Sequence, residues 1–363
     1  MRLAGARIIS FCAPLRRPIV TARGRIDARE GFVLELRSDC GERGLGEASP
    51  AYWIDRRPLS ETHAALLRIV ARVEDCRDPG ELRAQVLNGA AAGELTPAAA
   101  CALDTALLDL AARSRGVGVS AMLGGASSRA VPVSALLWSR SPEELVNEAR
   151  SARASGYTVF KLKVGTGALA DDLANVNALR SATAESDLIR LDANRAWDFE
   201  QALSALKAIG PARIEFVEEP IRAVSPAELA RLRDATGIAL AVDESINCVR
   251  DLESLCESCG PDLVVVLKAA RVGGPSKCVE IAQSAQAAGI RTLVVTDSME
   301  SSIGMSAAVH LASAIATAGT AIGLGAARFF HSSGFDDVPA IYDAPRVAAR
   351  GPGLAVSVER LGM

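Results

Sequence analysis

From about Val131 onward the chain alternates short β-prone runs with helical stretches at a nearly constant interval, and that repeat constrains the fold more than any other feature. The runs read VPVSALLW, TVFKLKV, LIRLDAN, IEFVEEP, IALAVDES, DLVVVLK, RTLVVT and TAIGLG. Eight strand candidates with helices between them predict a parallel α/β barrel, because parallel neighbours need a long crossover and a helix supplies it. The region ahead of the repeat has another texture. Residues 5–10 (GARIIS) and 31–37 (GFVLELR) read as strands, and helical patterns run from about Glu61 to Arg115, which is an α+β arrangement.

Active sites in parallel barrels occupy the C-terminal ends of the strands, and those ends carry an ordered set of ionisable groups. Only five of the forty basic residues are lysines, and Lys161, Lys163 and Lys268 all end strand candidates. Asp192, Glu218 and Asp243 end the three runs between them, with steps of 29, 26, 25 and 25 residues from Lys163 to Lys268. Arginine stays protonated in proteins, whereas a lysine can lose its proton, so lysine is the side chain suited to act as a base. Three carboxylates converging from adjacent strands make an oxygen-rich site for a hard divalent ion such as Mg²⁺, with Mn²⁺ as a substitute, and the ion favours neutral lysine beside it. The i, i+2 spacing of Lys161 and Lys163 puts both on one face of their strand. Each carboxylate taken alone is also a reasonable cap for the helix that follows. The flanking lysines are what the capping explanation does not account for.

Other function classes have little material. A chain of 363 residues, 49% hydrophobic with a net charge of −3, has an ordinary globular composition, and its mild acidity argues against a nucleic-acid partner. No apolar segment approaches the roughly 20 residues needed to span a bilayer, so no membrane partner and a cytoplasmic location are expected. The eight cysteines lack the density of a disulfide scaffold. Cys256 and Cys259 form one C-x-x-C with no second pair, which is read as packing rather than zinc binding. Of the three histidines, His63, His310 and His331, His310 lies in the helical pattern SAAVHLASAIATA and is expected to be a packed ring.

The Lys-x-Lys of FKLKVG, Asp192 in LDANRAW, Glu218 in VEEP, Asp243 in VDES and Lys268 in VLKAARVGG together resemble the enolase superfamily, in its muconate-lactonising branch. The resemblance covers nearly the whole chain. It implies an α+β capping domain over residues 1–125, a modified (β/α)7β TIM barrel over 126–328, and a C-terminal segment, 329–363, that returns to the cap. It implies Asp192, Glu218 and Asp243 as Mg²⁺ ligands and a small-molecule carboxylate as substrate, whose α-proton leaves as the ion stabilises the resulting enediolate. Lys163 would take that proton, Lys161 would lower its neighbour's proton affinity and help hold a carboxylate oxygen, and Lys268 would act from the opposite side. A homo-oligomer is left open.

Asn194, Glu219 and Glu244 adjoin the ligands and are expected to orient them or to hold metal-bound water, with loop or capping roles as the alternative. In TDSMESSIG, Ser301, Ser302 and Gly304 offer hydroxyl and backbone N–H donors to a substrate carboxylate at a helix start, or a simple N-cap. The stretch RRPIVTARGRIDAREGFVLELRSDCGERGLGEASP, the ESSIG element and GLGAARFF look like o-succinylbenzoate synthases, the lyases of menaquinone biosynthesis, which makes that dehydration the first expectation. The alternative within the branch is a racemase or epimerase of N-acylamino acids or dipeptides, with Lys163 and Lys268 on opposite faces of the α-carbon. Dipeptide epimerases usually carry an Asp-x-Asp after the eighth strand, where this chain has GLGAAR. A muconate-type cycloisomerase ranks lower, and a non-catalytic metal-binding module stands as the reading from outside enzymology. Two departures from the branch are Ala269 where many relatives have proline, and Asp297 where synthases often carry serine.

Overall fold

The computed structural model describes residues 1–21, 24–51, 58–88, 93–125, 130–139, 141–223, 225–325, 329–330 and 344–356. His331 and much of the 329–363 segment lie outside the described residues.

The first region is an antiparallel sheet of β1 (Leu3–Thr21), β2 (Gly24–Ser38) and β3 (Arg43–Ala48), in the order β1-β2-β3. Alternation along β2 sends Phe32, Leu34 and Leu36 into a cluster with the helices α1 (Leu59–Asp75), α2 (Pro79–Val86) and α3 (Pro97–Ser114). Val33 turns the other way and packs with Leu45, Ile303 and Ala307. The sheet is thus covered on both faces, once by its own helices and once by a helix from the far end of the chain. Gly46 explains how closely α3 lies on β3. A Cβ at that position would stand 1.8 Å from the Ala102 carbonyl oxygen, so only glycine lets helix and strand approach.

The repeat folds as a parallel sheet in the order β11-β10-β9-β8-β7-β6-β5. Its strands are β5 (Ala135–Leu137), β6 (Val159–Lys163), β7 (Leu188–Asp192), β8 (Ile214–Glu218), β9 (Leu240–Val242), β10 (Val264–Leu267) and β11 (Thr292–Val295). The intervening helices include α5 (Pro142–Ala154), α6 (Leu169–Ala182), α7 (Phe199–Ile209), α8 (Pro226–Thr236), α9 (Val249–Cys259) and α11 (Pro275–Ala287). Ser141, Asp198 and Ser225 cap three of them, Asp198 in a reciprocal box with Gln201. Two further short helices, α4 (Val119–Met122) and α10 (Ala269–Val272), precede α12 (Ser302–Ile315). Inward residues Phe216, Ala241, Val264, Val266 and Val294 form their own cluster inside the curl.

Two of the eight expected strands differ from the sequence reading. VPVSALLW divides: β4 (Ala130–Pro132) pairs antiparallel with β12 (Arg346–Ala348), and only β5 joins the parallel sheet. Pro132 supplies no N–H, while its carbonyl accepts from Ile322 at 2.8 Å. TAIGLG forms isolated bridges rather than a full strand, Ile322 with Val133 and Gly323 with Thr296. Those bridges nonetheless join the sheet's two edges, through Ser134 N–H to the Ile322 carbonyl at 2.9 Å and Gly323 N–H to the Val295 carbonyl at 2.9 Å.

The chain's last described segment packs back on the first region. Leu354 N–H donates to Asp109 Oδ1 at 2.7 Å, and Leu45 N–H to Asp109 Oδ2 at 2.9 Å, so one buried carboxylate of α3 holds both. Nearby, His310 is buried on α12 and its Nδ1 accepts the Ser120 N–H at 3.0 Å. Burial pushes its pKa down to about 4, against a partial opposing effect of the Arg350 backbone. The folded ring is neutral at pH values where an unfolded histidine is already charged. Stability from this site is therefore complete above about pH 6.5 and is lost as pH falls toward 4, by an amount on the order of 3 kcal/mol. Urea denaturation of His310→Gln between pH 7 and 4.5 is expected to show a flatter pH dependence than the wild type. Parallel curves would contradict the burial argument.

Candidate active site

The six residues singled out by spacing are brought together. Parallel register sets Lys163 beside Asp192 and Asp192 beside Glu218 in one row across β6, β7 and β8. Asp243 and Lys268 follow one residue beyond β9 and β10. Lys161 Nζ lies 2.9 Å from Asp192 Oδ2 and 2.7 Å from Glu218 Oε2. Lys163 Nζ is 3.5 Å from Asp192 Oδ2 and also donates to Asn194 Oδ1. Lys268 Nζ pairs with Asp243 Oδ2 at 2.5 Å. All three carboxylates are at most 3% exposed.

Burial alone would strip Lys161 and Lys268 of their protons, but neighbouring carboxylates outweigh it. Asp192 and Glu218 hold the Lys161 ammonium well above its ordinary range, and Asp243, Glu244 and Glu218 do the same for Lys268. The neutral lysine expected from the sequence is not the state these contacts favour. Asp192 resists its burial through Lys161, Lys163 and Lys268 and stays well below the usual carboxylate range. Glu218 is raised, by burial first and then, against Lys161, by the charges of Asp192 and Asp243. Burial and the adjacent Asp243 push Glu244 up to about 7.

Among the described residues no group of three acidic, histidine or cysteine side chains is already arranged around a metal position; the Lys161 ammonium lies between Asp192 and Glu218 instead. The donor set nevertheless fits a hard cation. Glu218 Oε1, Asp243 Oδ1 and Glu244 Oε2 are buried and accept no hydrogen bond from the described residues, with Arg271 Nε 3.5 Å from Asp243 Oδ1. Anionic oxygens left so are costly, and a divalent ion with a preference for oxygen ligands would satisfy them.

The turn that carries Asp243 is fixed from both sides. Glu219 Oε1 accepts the N–H groups of Asp243 at 2.8 Å and Ser245 at 2.7 Å, and its Oε2 takes Arg195 Nε at 2.9 Å and Ser245 Oγ at 2.8 Å. Arg271 reaches the carbonyls of the same turn, donating to Asp243, to Ile246 at 2.6 Å and to Glu244 at 3.3 Å. Glu219 thus holds the turn that carries Asp243. Asn194, whose side chain reaches Lys163 and Glu244, sits with Arg195 and Glu219 at positive φ, a strained backbone held by these contacts. Arg195, Ser245 and Arg271 escaped the sequence reading, since each is an ordinary loop or helix residue until the turn brings it in.

The substrate role expected for Ser301 and Gly304 needs correction. The Ser301 N–H donates to Glu47 Oε1 at 2.9 Å, its hydroxyl donates to Glu47 Oε2, and the Gly304 N–H donates to Glu47 Oε2 at 3.0 Å. The anion at the start of α12 is a side chain of β3, and Ser301 is also that helix's N-cap. Ser302 takes no part in this cluster. Arg29, almost fully buried, completes the junction by donating to the carbonyls of Ser49 at 2.8 Å, Pro50 at 2.9 Å and Met299 at 3.2 Å. A cavity of about 510 Å³ opens at the opposite mouth of the sheet, lined by Phe216, Ile238 and Val264 and remote from the lysines.

Residues 4–124 match the mandelate racemase/muconate lactonizing enzyme N-terminal domain, and residues 144–361 match the enolase C-terminal domain-like family. The chain belongs to the enolase superfamily. It is similar to the N-succinyl-L-Arg/Lys racemase of Bacillus cereus, 26% identical over 315 residues that cover 86% of this chain and 84% of the relative. It is also similar to the hydrophobic dipeptide epimerase of Enterococcus faecalis, 28% identical over 316 residues, covering 86% of this chain and 88% of that one. A crystal structure of the dipeptide epimerase from Enterococcus faecalis V583 with Mg and L-Leu-L-Tyr superposes with a TM-score of 0.86 at 24% identity, over 98% of this chain and 100% of the other. That likeness concerns the fold.

Removing the Glu219 carboxylate frees the turn that presents Asp243. Glu219→Ala is expected to weaken Mg²⁺ binding by about 10–100-fold, as titration calorimetry would measure. Unchanged affinity would separate Glu219 from the cation.

Proposed function

We propose that this chain is a Mg²⁺-dependent racemase or epimerase acting at the α-carbon of N-acylated amino acids, on a cap over residues 1–125, a (β/α)7β barrel over 126–328 and a returning segment, 329–363. The observation that carries the reading is the placement of its two candidate bases. Lys163 ends β6, Lys268 follows β10, and the three carboxylate strands β7, β8 and β9 lie between them in the curled sheet. A substrate whose carboxylate is turned toward Asp192, Glu218 and Asp243 would have an amine on either side of its α-carbon. The racemase name of the Bacillus relative supports this alternative over the dehydration expected first.

Asp192, Glu218 and Asp243 would hold the ion, with Glu219, Asn194 and Glu244 supporting them. When bound, the ion supplies positive charge to the substrate carboxylate as its α-carbon becomes more acidic. Lys163 removes the α-proton from one face and Lys268 delivers a proton to the other, which inverts configuration; the reverse reaction exchanges their roles. Lys161, between Asp192 and Glu218, faces the substrate carboxylate and offsets the charge gathered there.

The o-succinylbenzoate synthase reading is second and rests on the Lys268–Asp243 pair at 2.5 Å, which suits a fixed cation beside a single base, Lys163. The two readings separate in deuterium oxide. With Mg²⁺ and N-acetylated L- and D-amino acids, the wild type should exchange the α-proton of both enantiomers. Lys163→Ala and Lys268→Ala should each lose racemisation by about 10²–10⁴-fold and keep exchange with one enantiomer only, a different one for each variant. Absence of exchange, together with turnover of the cyclohexadiene precursor to the aromatic product, would reverse the ranking.

A further inference from the structure

Around the curled sheet, the lysine and carboxylate strands occupy one arc, and the first, eighth and seventh strand positions face them. Two polar atoms in that facing arc are buried and have no hydrogen-bond partner among the described residues, Trp138 Nε1 and Thr296 Oγ1. Trp138 stands one residue beyond the last paired position of β5, where the register with β6 aligns it with Lys163. Thr296 stands one residue beyond β11, where the register with β10 aligns it with Lys268. Period-two alternation gives Thr296 the inward face of Val294, and gives Trp138 the face of Leu136, the register partner of Lys161. Thr296 is 8% exposed, and Trp138 packs edge-on against Phe329 with ring centroids 4.9 Å apart.

Between them the chain reads Ile322-Gly323-Leu324-Gly325. A Cβ at Gly323 would stand 2.6 Å from Thr296 Cγ2, and one at Gly325 would stand 2.5 Å from Leu136 Cβ, so bare backbone is required there. The 322–325 segment brings no charged group. An indole N–H can only donate, and a hydroxyl donates as readily as it accepts. An ammonium group would find no anion on this segment, whereas a neutral carbonyl oxygen would find donors.

We propose that Trp138 and Thr296 form the subsite for the substrate's N-acyl arm, their indole N–H and hydroxyl donating to its carbonyl oxygen while the Trp138–Phe329 pair walls its apolar part. This rests on the racemase reading and adds to it the residues that would recognise the acyl group. The two strand positions are about 10 Å apart across the sheet, a span that the length of the indole shortens. Acting on binding rather than on proton transfer, both residues are specificity determinants.

The test uses Trp138→Phe and Thr296→Val, which keep size and remove only the donor. With N-acetyl-L-leucine and Mg²⁺, each variant should raise KM about tenfold while kcat, thermal midpoint and Mg²⁺ affinity stay at wild-type values. Wild-type KM in both variants overturns the subsite, as does a wild type that epimerises L-Leu-L-Leu in preference to N-acetyl-L-leucine. If the wild type exchanges no α-proton in either compound, the racemase reading falls by itself. Calorimetric binding of N-acetyl-L-leucine then decides the subsite: tenfold weakening in both variants supports it, and equal or absent binding overturns it.

Discussion

The structure's chemistry depends on a row of buried opposite charges held in place by strand register. Asp192, Glu218 and Asp243 have almost no access to solvent, and ionised carboxylates in that condition need cations close by. Lys161 pairs with the first two and Lys268 with the third. Taking away one member of such a set leaves its partner charged and unpaired, a loss of about 3–5 kcal/mol. Ion pairs of this kind are weak evidence for stability on their own, since packed apolar side chains often do as well. Their concentration at one end of the sheet, with three carboxylate oxygens that accept no hydrogen bond from the described residues, points to function instead.

The charged row would be useless without the turns that follow the strands. Glu219 and Arg271 grip the Asp243 turn from its N–H and carbonyl sides. The same economy recurs between the two halves of the chain. Glu47 satisfies the orphan N–H groups at the start of α12, and Arg29 gathers carbonyls from the end of β3 and from the turn after β11. The antiparallel sheet is thereby fixed to the rim of the parallel one through polar groups that are buried and paired, beside the apolar contact of Val33 and Leu45 with Ile303.

Charge also divides the interior of the curl. One arc carries the amines and carboxylates of Lys161, Lys163, Asp192, Glu218, Asp243 and Lys268, and the facing positions Trp138, Gly323 and Thr296 are uncharged.

Much of this was legible in the sequence. The interval of 25 to 29 residues fixed which side chains share the ends of parallel strands, and the scarcity of lysine separated potential bases from surface cations. Side chains repeat every second residue in a strand, so Lys161 and Lys163 had to share a face wherever the strand went. What the sequence determined is therefore the set of residues whose placement follows from local periodicity. Tertiary structure decided the rest. The donors of Ser301 and Gly304 look free for a ligand until β3 brings Glu47 to them across more than 250 positions. Ile322–Gly323 closes the sheet through backbone contacts that leave almost no side-chain pattern. Arg195, Ser245 and Arg271 acquire their roles only when a turn folds onto them. Pairings between distant segments depend on which surfaces meet, and no local repeat in a single chain encodes that meeting.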